Sequence, residues 1–156
     1  MEKCLEYLNT LSSYMNNIPY NYDRYNTDIT TLTSKIRKSD IKYDLIVGIA
    51  KGGLIPAVHL ANVLDVPFAA LQWSGKGIRD SSNPHLVCSR GKSVLLVDDI
   101  LDNGDTIHEV LSTYYPMDTA TLVYNCINRW SLVPTYTSWT INRNDTPNWI
   151  DFWWEK

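Results

Sequence analysis

The sequence contains little cysteine, no long hydrophobic run and no strong excess of charge of either sign. Its three cysteines, Cys4, Cys88 and Cys126, are odd in number and widely spaced, which favours reduced thiols over a disulfide framework. No apolar stretch approaches the roughly 20 residues that cross a membrane, and the N-terminus lacks a signal-peptide core. A net charge of −3 gives no general nucleic-acid-binding surface. We therefore expect a cytoplasmic protein that binds neither membrane nor nucleic acid.

The sequence also lacks a complete zinc-binding pattern. His85 and Cys88 have a spacing found in metal sites, but no second pair of ligands accompanies them. The basic residues of the same region offer a better indication of a ligand. Between Trp73 and Lys92 the chain has four basic residues and a single acid, Asp80. Positive charge concentrated in one loop of an acidic protein favours a small anionic ligand, although a solvated basic loop has the same composition.

The order of predicted elements indicates an α/β fold. Apolar runs predict strands at residues 45–49, 67–72, 94–97, 121–126 and 136–141. Helical spacing predicts helices at residues 2–16, from Asp28 or Thr30 to about Arg37, and at residues 54–64 and 106–115. This alternation predicts one domain over residues 1–156, with a mostly parallel twisted sheet and helices on both faces.

Two segments lie outside this regular alternation. Residues 1–25 form a predicted N-terminal helical extension followed by a Tyr- and Asn-rich loop. Residues 73–92 contain glycine, serine, asparagine and proline, and loops of this length within a compact domain are usually functional or mobile. We interpret residues 73–92 as a flexible lid.

The most informative segment joins a predicted strand to a predicted helix. Residues 94–106 read Val-Leu-Leu-Val-Asp-Asp-Ile-Leu-Asp-Asn-Gly-Asp-Thr. Ligands of open α/β sheets bind beyond the carboxyl ends of the strands. Thr106 and the backbone N–H groups of residues 103–106 could bind a phosphate there. Asp98 and Asp99 suit hydrogen bonds from sugar hydroxyls. Together these groups predict a site for a phosphorylated ribose.

Three other interpretations of this segment are weaker. A phosphoacceptor receiver domain needs a lysine on a later loop, and none occurs between Lys92 and Lys156. Gly91-Lys92-Ser93 ends like a Walker A motif, but Leu86 occupies the position of its first glycine and the triplet precedes a strand. A simple helix-capping turn accounts for Asp105 but not for the whole acidic pattern.

The segment resembles the phosphoribosyl-diphosphate (PRPP) signature of the type I phosphoribosyltransferases. Residues 46–62, Ile-Val-Gly-Ile-Ala-Lys-Gly-Gly-Leu-Ile-Pro-Ala-Val-His-Leu-Ala-Asn, resemble the pyrophosphate loop and first core helix of the xanthine–guanine and hypoxanthine branch. Residues 149–155, Trp-Ile-Asp-Phe-Trp-Trp-Glu, are similar to its C-terminal base-binding segment. The matches follow the order of the family over residues 28–155. The resemblance implies the type I phosphoribosyltransferase fold with a small C-terminal hood.

The resemblance also implies an activity and a partner set. The expected reaction is Mg²⁺-dependent transfer of phosphoribosyl from PRPP to a nucleobase, with a purine as the expected base and pyrophosphate as the second product. The protein is expected to form a homodimer or homotetramer. The resemblance places a non-proline cis peptide near Ala50–Lys51.

Each implied role falls on particular residues. Asp102 is the expected general base, and Lys76 and Arg79 of the lid are expected to contact pyrophosphate. Asp98 and Asp99 are expected near Mg²⁺, mainly through PRPP and water. The expected PRPP-binding residues are Lys51, Gly52, Gly53, Asp98, Asp99, Asp102, Asn103, Gly104, Asp105 and Thr106. The expected base-binding residues are Asn125, Trp149 and Ile150.

The sequence departs from the family pattern at the base site and in the phosphate loop. Purine enzymes of this branch have a lysine after the fourth core strand, where this chain has Asn125, with Arg129 nearby. Asn103 replaces a threonine, and Asp105 adds a carboxylate to the loop. Two alternatives therefore stay open: a PRPP-sensing regulatory protein on the same fold, or a transferase for a non-purine or modified base.

Overall fold

The order of strands and helices follows the predicted alternation. A computed structural model describes residues 17–74, 77–78 and 83–155. The predicted helix at residues 2–16 lies outside the described residues. The described strands are β1 (Ile18–Tyr20), β2 (Leu45–Ala50), β3 (Phe68–Ser74), β4 (Gly77–Ile78), β5 (Val94–Leu101), β6 (Asp118–Asn125), β7 (Tyr136–Ile141) and β8 (Ile150–Phe152). The described helices are α1 (Tyr22–Lys38), α2 (Leu54–Leu64), α3 (Pro84–Cys88) and α4 (Asp105–Thr113).

The central sheet has six strands in the order β4-β3-β2-β5-β6-β7. All neighbours are parallel except the pair formed by β3 and β4, which is antiparallel. The mostly parallel sheet is confirmed, and its two central strands are β2, which is apolar throughout, and β5, whose first four residues are apolar. Strands buried on both faces require such runs.

Helices cover both faces of the sheet, as predicted. Successive side chains of a strand point to opposite faces, and β2 shows this clearly. Ile46 packs with α1 and α2 in one core cluster, whereas Leu45 and Val47 pack with α4 and the short helix α3 in the other. The predicted α/β architecture, a mostly parallel sheet with helices on both faces, is therefore the architecture of this chain.

The N-terminal part of the described chain differs from the prediction. Helix α1 begins at Tyr22, six residues before Asp28, because the side chain of Asn21 accepts the backbone N–H of Arg24 and caps the helix. Residues 18–20, predicted to belong to the extension and its loop, form β1. This short strand pairs in parallel with β8, so that Tyr20 lies opposite Phe152.

The pairing of β1 with β8 forms the small C-terminal hood expected from the resemblance. Phe152 and Tyr20 are fully buried, and their ring centroids are 4.8 Å apart. Trp154 packs against Tyr20 and Tyr25, which attaches the hood to α1. Aromatic pairs of this kind contribute roughly 0.5–1.5 kcal/mol beyond the area that they bury.

Part of the segment predicted as a lid, residues 73–92, forms regular structure. Residues 84–88 form α3, and Leu86 of this helix is fully buried in the core cluster that contains α4. Asn83 caps α3 by accepting the backbone N–H of Leu86. Residues 75, 76 and 79–82, including Lys76 and Arg79, lie outside the described residues. Among the described helices, none is long and apolar enough to cross a membrane.

Candidate active site

The candidate site lies at the carboxyl ends of β2 and β5, where the direction of winding changes. Helix α2, which follows β2, packs on one face of the sheet, and α4, which follows β5, packs on the other. This divergence opens the crevice in which ligands of open α/β sheets bind. A cavity of about 590 Å³ occupies it. Its lining residues are Ile49, Ala50, Lys51, Gly52, Gln72, Trp73, Asp98, Asp99, Ile100, Leu101, Asp102, Asn103, Gly104, Thr106, Ile107, Trp149, Phe152 and Glu155.

The acidic pair lies inside β5 rather than after it. The predicted strand ended at Val97, but β5 continues to Leu101, which leaves Asp98 only 9% exposed and Asp99 only 6% exposed. The backbone N–H of Asp99 donates to Asp98 Oδ1 at 3.1 Å, and the N–H of Ile100 donates to Asp99 Oδ1 at 2.7 Å. These bonds fix both carboxyl groups at the cavity wall.

Burial controls the charge state of the two carboxyl groups. It raises the pKa of Asp98 well above its usual range, and the neighbouring charge of Asp99 adds to this effect. Burial also raises the pKa of Asp99 to about 7, with the Glu155 carboxylate as the second cause. A cation or hydroxyl donors in the cavity would therefore stabilise the charged form of both carboxyl groups.

The loop after β2 approaches the acidic pair so closely that two glycines are required. A Cβ on Gly52 would overlap the carboxyl group of Asp99, and a Cβ on Gly53 would overlap the main chain at Val97 and Asp98. The peptide bond Ala50–Lys51 is cis, as expected from the resemblance. The loop thus presents its backbone and Lys51 to the cavity directly beside Asp99.

The loop after β5 turns sharply into α4. Gly104, the residue before the helix, has φ +88°, a conformation that favours glycine. Asn103 Oδ1 accepts the backbone N–H of Asp105 at 3.0 Å, which removes one donor from the predicted phosphate cradle. Thr106 lines the cavity, as predicted.

The side chain of Asp105 is bound by Trp130, which lies outside the cavity lining, and by Asn103. Its carboxylate accepts the indole N–H of Trp130 at 2.6 Å and the amide of Asn103 at 3.0 Å, so it is held away from the cavity. Asp105 is therefore part of the support of the loop and does not line the site.

Asp102 lies at the cavity, and its carboxylate is held by an arginine that the sequence analysis missed. Arg143 Nε donates to Asp102 Oδ1 at 2.8 Å, and Arg143 Nη2 donates to Asp102 Oδ2 at 2.7 Å. This two-pronged arrangement is the strongest geometry available to an arginine–carboxylate pair. No sequence pattern indicated this pair, since 41 residues separate its members.

Two of the three predicted base-binding residues, Asn125 and Ile150, are not among the residues that line the cavity. The amide nitrogen of Asn125 donates to the main-chain carbonyl of Asp102 at 3.1 Å, and its side chain is buried outside the cavity lining. Ile150 is 1% exposed and packs in the hydrophobic core. Asn125 thus supports Asp102, and the side chain of Ile150 supports the hood.

Trp149 remains a candidate for base stacking. Its side chain is 57% exposed and lines the cavity. Its main-chain carbonyl accepts the N–H of Ile18 at 2.8 Å, which fixes its position next to β1. Ile107, a buried residue of α4, supplies an apolar wall of the same cavity.

Glu155 and Trp73 are two further cavity residues that the sequence analysis did not assign to the site. Glu155 follows Trp154, whose indole N–H donates to the carbonyl of Gly52 at 3.1 Å. Trp73 is held by a hydrogen bond from its indole N–H to Glu109 Oε2 at 2.8 Å. Both come from segments distant in sequence from β5, so only the fold brings them to the acidic pair.

The chain is similar to phosphoribosyltransferases in both sequence and fold. The family described as phosphoribosyl transferase domain matches residues 21–126. A xanthine-guanine phosphoribosyltransferase of Nitratidesulfovibrio vulgaris is 26% identical over 158 residues, which cover 95% of this chain and 90% of that protein. The crystal structure of a purine phosphoribosyltransferase from Pyrococcus horikoshii is 27% identical, with a TM-score of 0.69 over 90% of this chain and 95% of the other.

A smaller part of the chain is similar to a protein with a different role. The transcriptional regulator GfcR 2 of Methanosarcina acetivorans is 32% identical over 88 residues. The similarity covers 53% of this chain and 43% of the regulator.

Proposed function

Since the chain belongs to the phosphoribosyltransferase family, we propose that it transfers the 5-phosphoribosyl group of PRPP to a purine base and releases pyrophosphate. One observation carries the proposal. The glycine loop after β2, the buried Asp98–Asp99 pair and the phosphate loop after β5 surround a single cavity at the switch point of the sheet. A ribose that carries phosphate at one end and pyrophosphate at the other matches this order of groups.

We assign each part of the transfer reaction to residues on one wall of the cavity. Departure of pyrophosphate builds positive charge on the ribose and negative charge on the leaving group. Lys51 and the backbone at Gly52 and Gly53 are placed to stabilise the leaving group. The carboxylates of Asp98 and Asp99 accept hydrogen bonds from the ribose hydroxyls and stabilise positive charge on the sugar.

The base and its proton are assigned to the other end of the cavity. Trp149 offers an exposed aromatic face for stacking on a heterocycle. Asp102 is the candidate acceptor for the proton that the ring nitrogen loses, as predicted from the resemblance. General-base assistance of this kind contributes roughly 10²–10⁴-fold in rate.

The proposal includes Mg²⁺, because the donor set of the cavity fits a hard cation. Asp98, Asp99 and Glu155 bring carboxylate oxygens to the cavity. Burial raises the pKa of the first two, with the charge of Asp99 adding to the effect at Asp98 and the charge of Glu155 adding to it at Asp99. The described residues contain no group of three or more candidate ligands arranged around one point. Asp98 and Asp99 would therefore hold Mg²⁺ together with oxygens of PRPP and water, and the ion would neutralise the leaving group.

Self-association is part of the same proposal. Helix α2 has no charged residue, and Ile55 and Val58 are both exposed on it. Phe68 of β3 is also exposed. A second copy that presents the same surface would cover these groups, as isologous dimers do. Sedimentation analysis of the wild type and of Val58→Glu tests this, since a charge in the interface should shift a dimer towards monomer.

A turnover assay with a panel of bases tests the proposed reaction. Pyrophosphate release is measured with PRPP, Mg²⁺ and each of xanthine, guanine, hypoxanthine, adenine and the pyrimidine bases. Base-dependent release, strongest with a purine, is the expected result. Release with only a pyrimidine base would retain the reaction class and overturn the purine assignment.

A regulatory function is the second candidate, favoured by the similarity to the transcriptional regulator and by the absence of a lysine at position 125. PRPP binding without release of pyrophosphate for any base, monitored in the same assay, would favour the sensor. We place the protein in the cytoplasm, where PRPP and free nucleobases would be available to it.

A further inference from the structure

The carboxylate of Asp102 and the loop that carries Trp149 are joined by one side chain. Two nitrogens of Arg143 bind Asp102, as described above. Arg143 Nη1 donates to the main-chain carbonyls of Thr146 at 3.1 Å and Asn148 at 2.6 Å. Asn148 directly precedes Trp149, so a single guanidinium connects the candidate general base to the residue beside the candidate stacking ring.

Several hydrogen bonds hold the guanidinium group of Arg143. Four of its five N–H groups have acceptors, namely two on Asp102 and two main-chain carbonyls. The Arg143 side chain is 18% exposed and that of Asp102 is 30% exposed. An arginine fork with this many fixed acceptors is preorganised, whereas a lysine at the same position would reach one or two of them.

Asn125, the last residue of β6, forms hydrogen bonds with both Asp102 and Arg143. Its amide nitrogen donates to the carbonyl of Asp102, and its side-chain oxygen accepts the backbone N–H of Arg143 at 3.3 Å. Asn125 ends β6, and Arg143 stands two residues beyond Ile141, its partner in β7. The cation beside Asp102 thus comes from the segment that follows β7, whereas position 125, which ends β6, is occupied by a neutral amide.

We propose that Arg143 is a positioning residue that holds Asp102 and the Trp149 loop in one fixed geometry, so that the base stacked on Trp149 meets the carboxylate that takes its proton. This inference rests on the proposed transferase function. Arg143 does not line the cavity, and it acts through Asp102 and through the loop of residues 142–148.

The proposal predicts a particular kinetic pattern. Arg143→Lys keeps the charge but loses the fork, so it should lower kcat/KM for the base by roughly 100-fold, the cost of about 1 Å of misplacement. The KM for PRPP should change by less than about threefold, because the phosphate is assigned to Thr106 and the backbone of residues 103–106 and the pyrophosphate to residues 51–53, whereas Arg143 binds the carboxylate of Asp102. Arg37→Lys is the matched control, since Arg37 donates to the carbonyl of Val63 and is not among the residues that line the cavity.

Chemical rescue separates positioning from a general effect on folding. Guanidinium ion at millimolar concentration should restore part of the turnover of Arg143→Ala, because it can occupy the space between Asp102 and the two carbonyls. The same ion should not restore turnover to Asp102→Asn. Wild-type kcat and base KM in Arg143→Lys would overturn the proposal, and so would a loss in Arg143→Ala that guanidinium leaves unchanged.

Amide hydrogen exchange gives a readout that does not depend on turnover. Arg143→Lys should accelerate exchange in residues 142–149, where the N–H groups of Asp145 and Thr146 bind Asn142. If the wild type turns over no base, the proposed function fails, and exchange still decides whether Arg143 holds the loop. Equal exchange in wild type and Arg143→Lys would overturn the positioning role in either case.

Discussion

The indole N–H of Trp154 donates to the main-chain carbonyl of Gly52 across 3.1 Å and so ties the C-terminal hood to the loop after β2. This bond connects the two segments that the family resemblance had assigned to opposite ends of the substrate. The hood carries Trp149, and the loop carries Lys51 and the cis peptide bond. The base end and the pyrophosphate end of the cavity are thus attached to each other through one side chain.

Trp154→Phe should weaken the binding of PRPP while the fold persists. The change keeps an aromatic ring against Tyr20 and Tyr25 but removes the donor to Gly52. A net hydrogen bond contributes about 0.5–1.5 kcal/mol, so the dissociation constant for PRPP should rise roughly 2- to 10-fold. Isothermal titration with PRPP and Mg²⁺ measures the change, and Trp153→Phe is the matched control. Equal affinities in both variants would show that the loop keeps its position without Trp154.

PRPP with Mg²⁺ should stabilise the wild type, and replacing both Asp98 and Asp99 by Asn should remove most of this effect. Ligand at a hundred times its dissociation constant adds about 2.7 kcal/mol to the free energy of unfolding. A thermal-shift assay at millimolar PRPP and Mg²⁺ measures it. Asp23→Asn is the control, since Asp23 lies in the first turn of α1 and is not among the residues that line the cavity. The absence of any shift in the wild type would contradict PRPP binding.

Without ligand, the acidic pair should make the protein less stable as the pH rises. Burial holds the pKa of Asp99 at about 7, above its value in the unfolded chain, so the folded state binds more protons between about pH 4 and 7. The stability from this group is complete below the unfolded pKa and is lost as the pH rises through 7. Burial of Asp98 acts in the same direction.

Urea unfolding at pH 5 and at pH 8 checks this prediction. The free energy of unfolding should be lower at pH 8 in the wild type, and this difference should shrink in the Asp98→Asn, Asp99→Asn double variant. Asp23→Asn should keep the wild-type difference. An unchanged difference in the double variant would assign the pH dependence to other groups.

Asp102→Asn should lose turnover and keep PRPP binding. An amide cannot accept the proton of the base, so kcat should fall by roughly 10²–10⁴-fold. The variant also leaves Arg143 without its carboxylate, and its melting temperature should drop for that reason. The PRPP-induced shift must therefore be measured against the variant's own melting temperature. Asp145→Asn, an exposed change in the neighbouring loop, is the control. Unchanged turnover in Asp102→Asn would assign the proton transfer to another group.

The sequence by itself determined the elements whose side chains repeat a clear pattern. Helix α2 begins and ends at the predicted residues, and so does β7. The acidic pair and the glycine loop were also identified from the sequence alone, because each is a short segment in which the chemistry depends on adjacent residues. The parallel sheet and its helices on both faces followed from the alternation of elements.

Where the prediction from sequence was wrong, the deciding contacts were long-range. The strand β1 was missed because three residues become a strand only when β8, more than a hundred residues away, lies beside them. Part of the predicted lid forms α3, because Leu86 is buried in a core formed by other segments. Local propensity depends on residues that are close in sequence, so it predicts neither contact.

Tertiary structure also decided the roles of individual site residues. The sequence supplied Asp102 and Asn125 as candidates, but only the meeting of β6 and β7 placed Asn125 against Asp102 and brought Arg143 to its carboxylate. A polar side chain can donate into a cavity or to its neighbours, and the spacing along a chain does not distinguish these partners. Sites formed by adjacent residues could therefore be predicted from the sequence. Contacts between residues on different strands could be identified only from the fold.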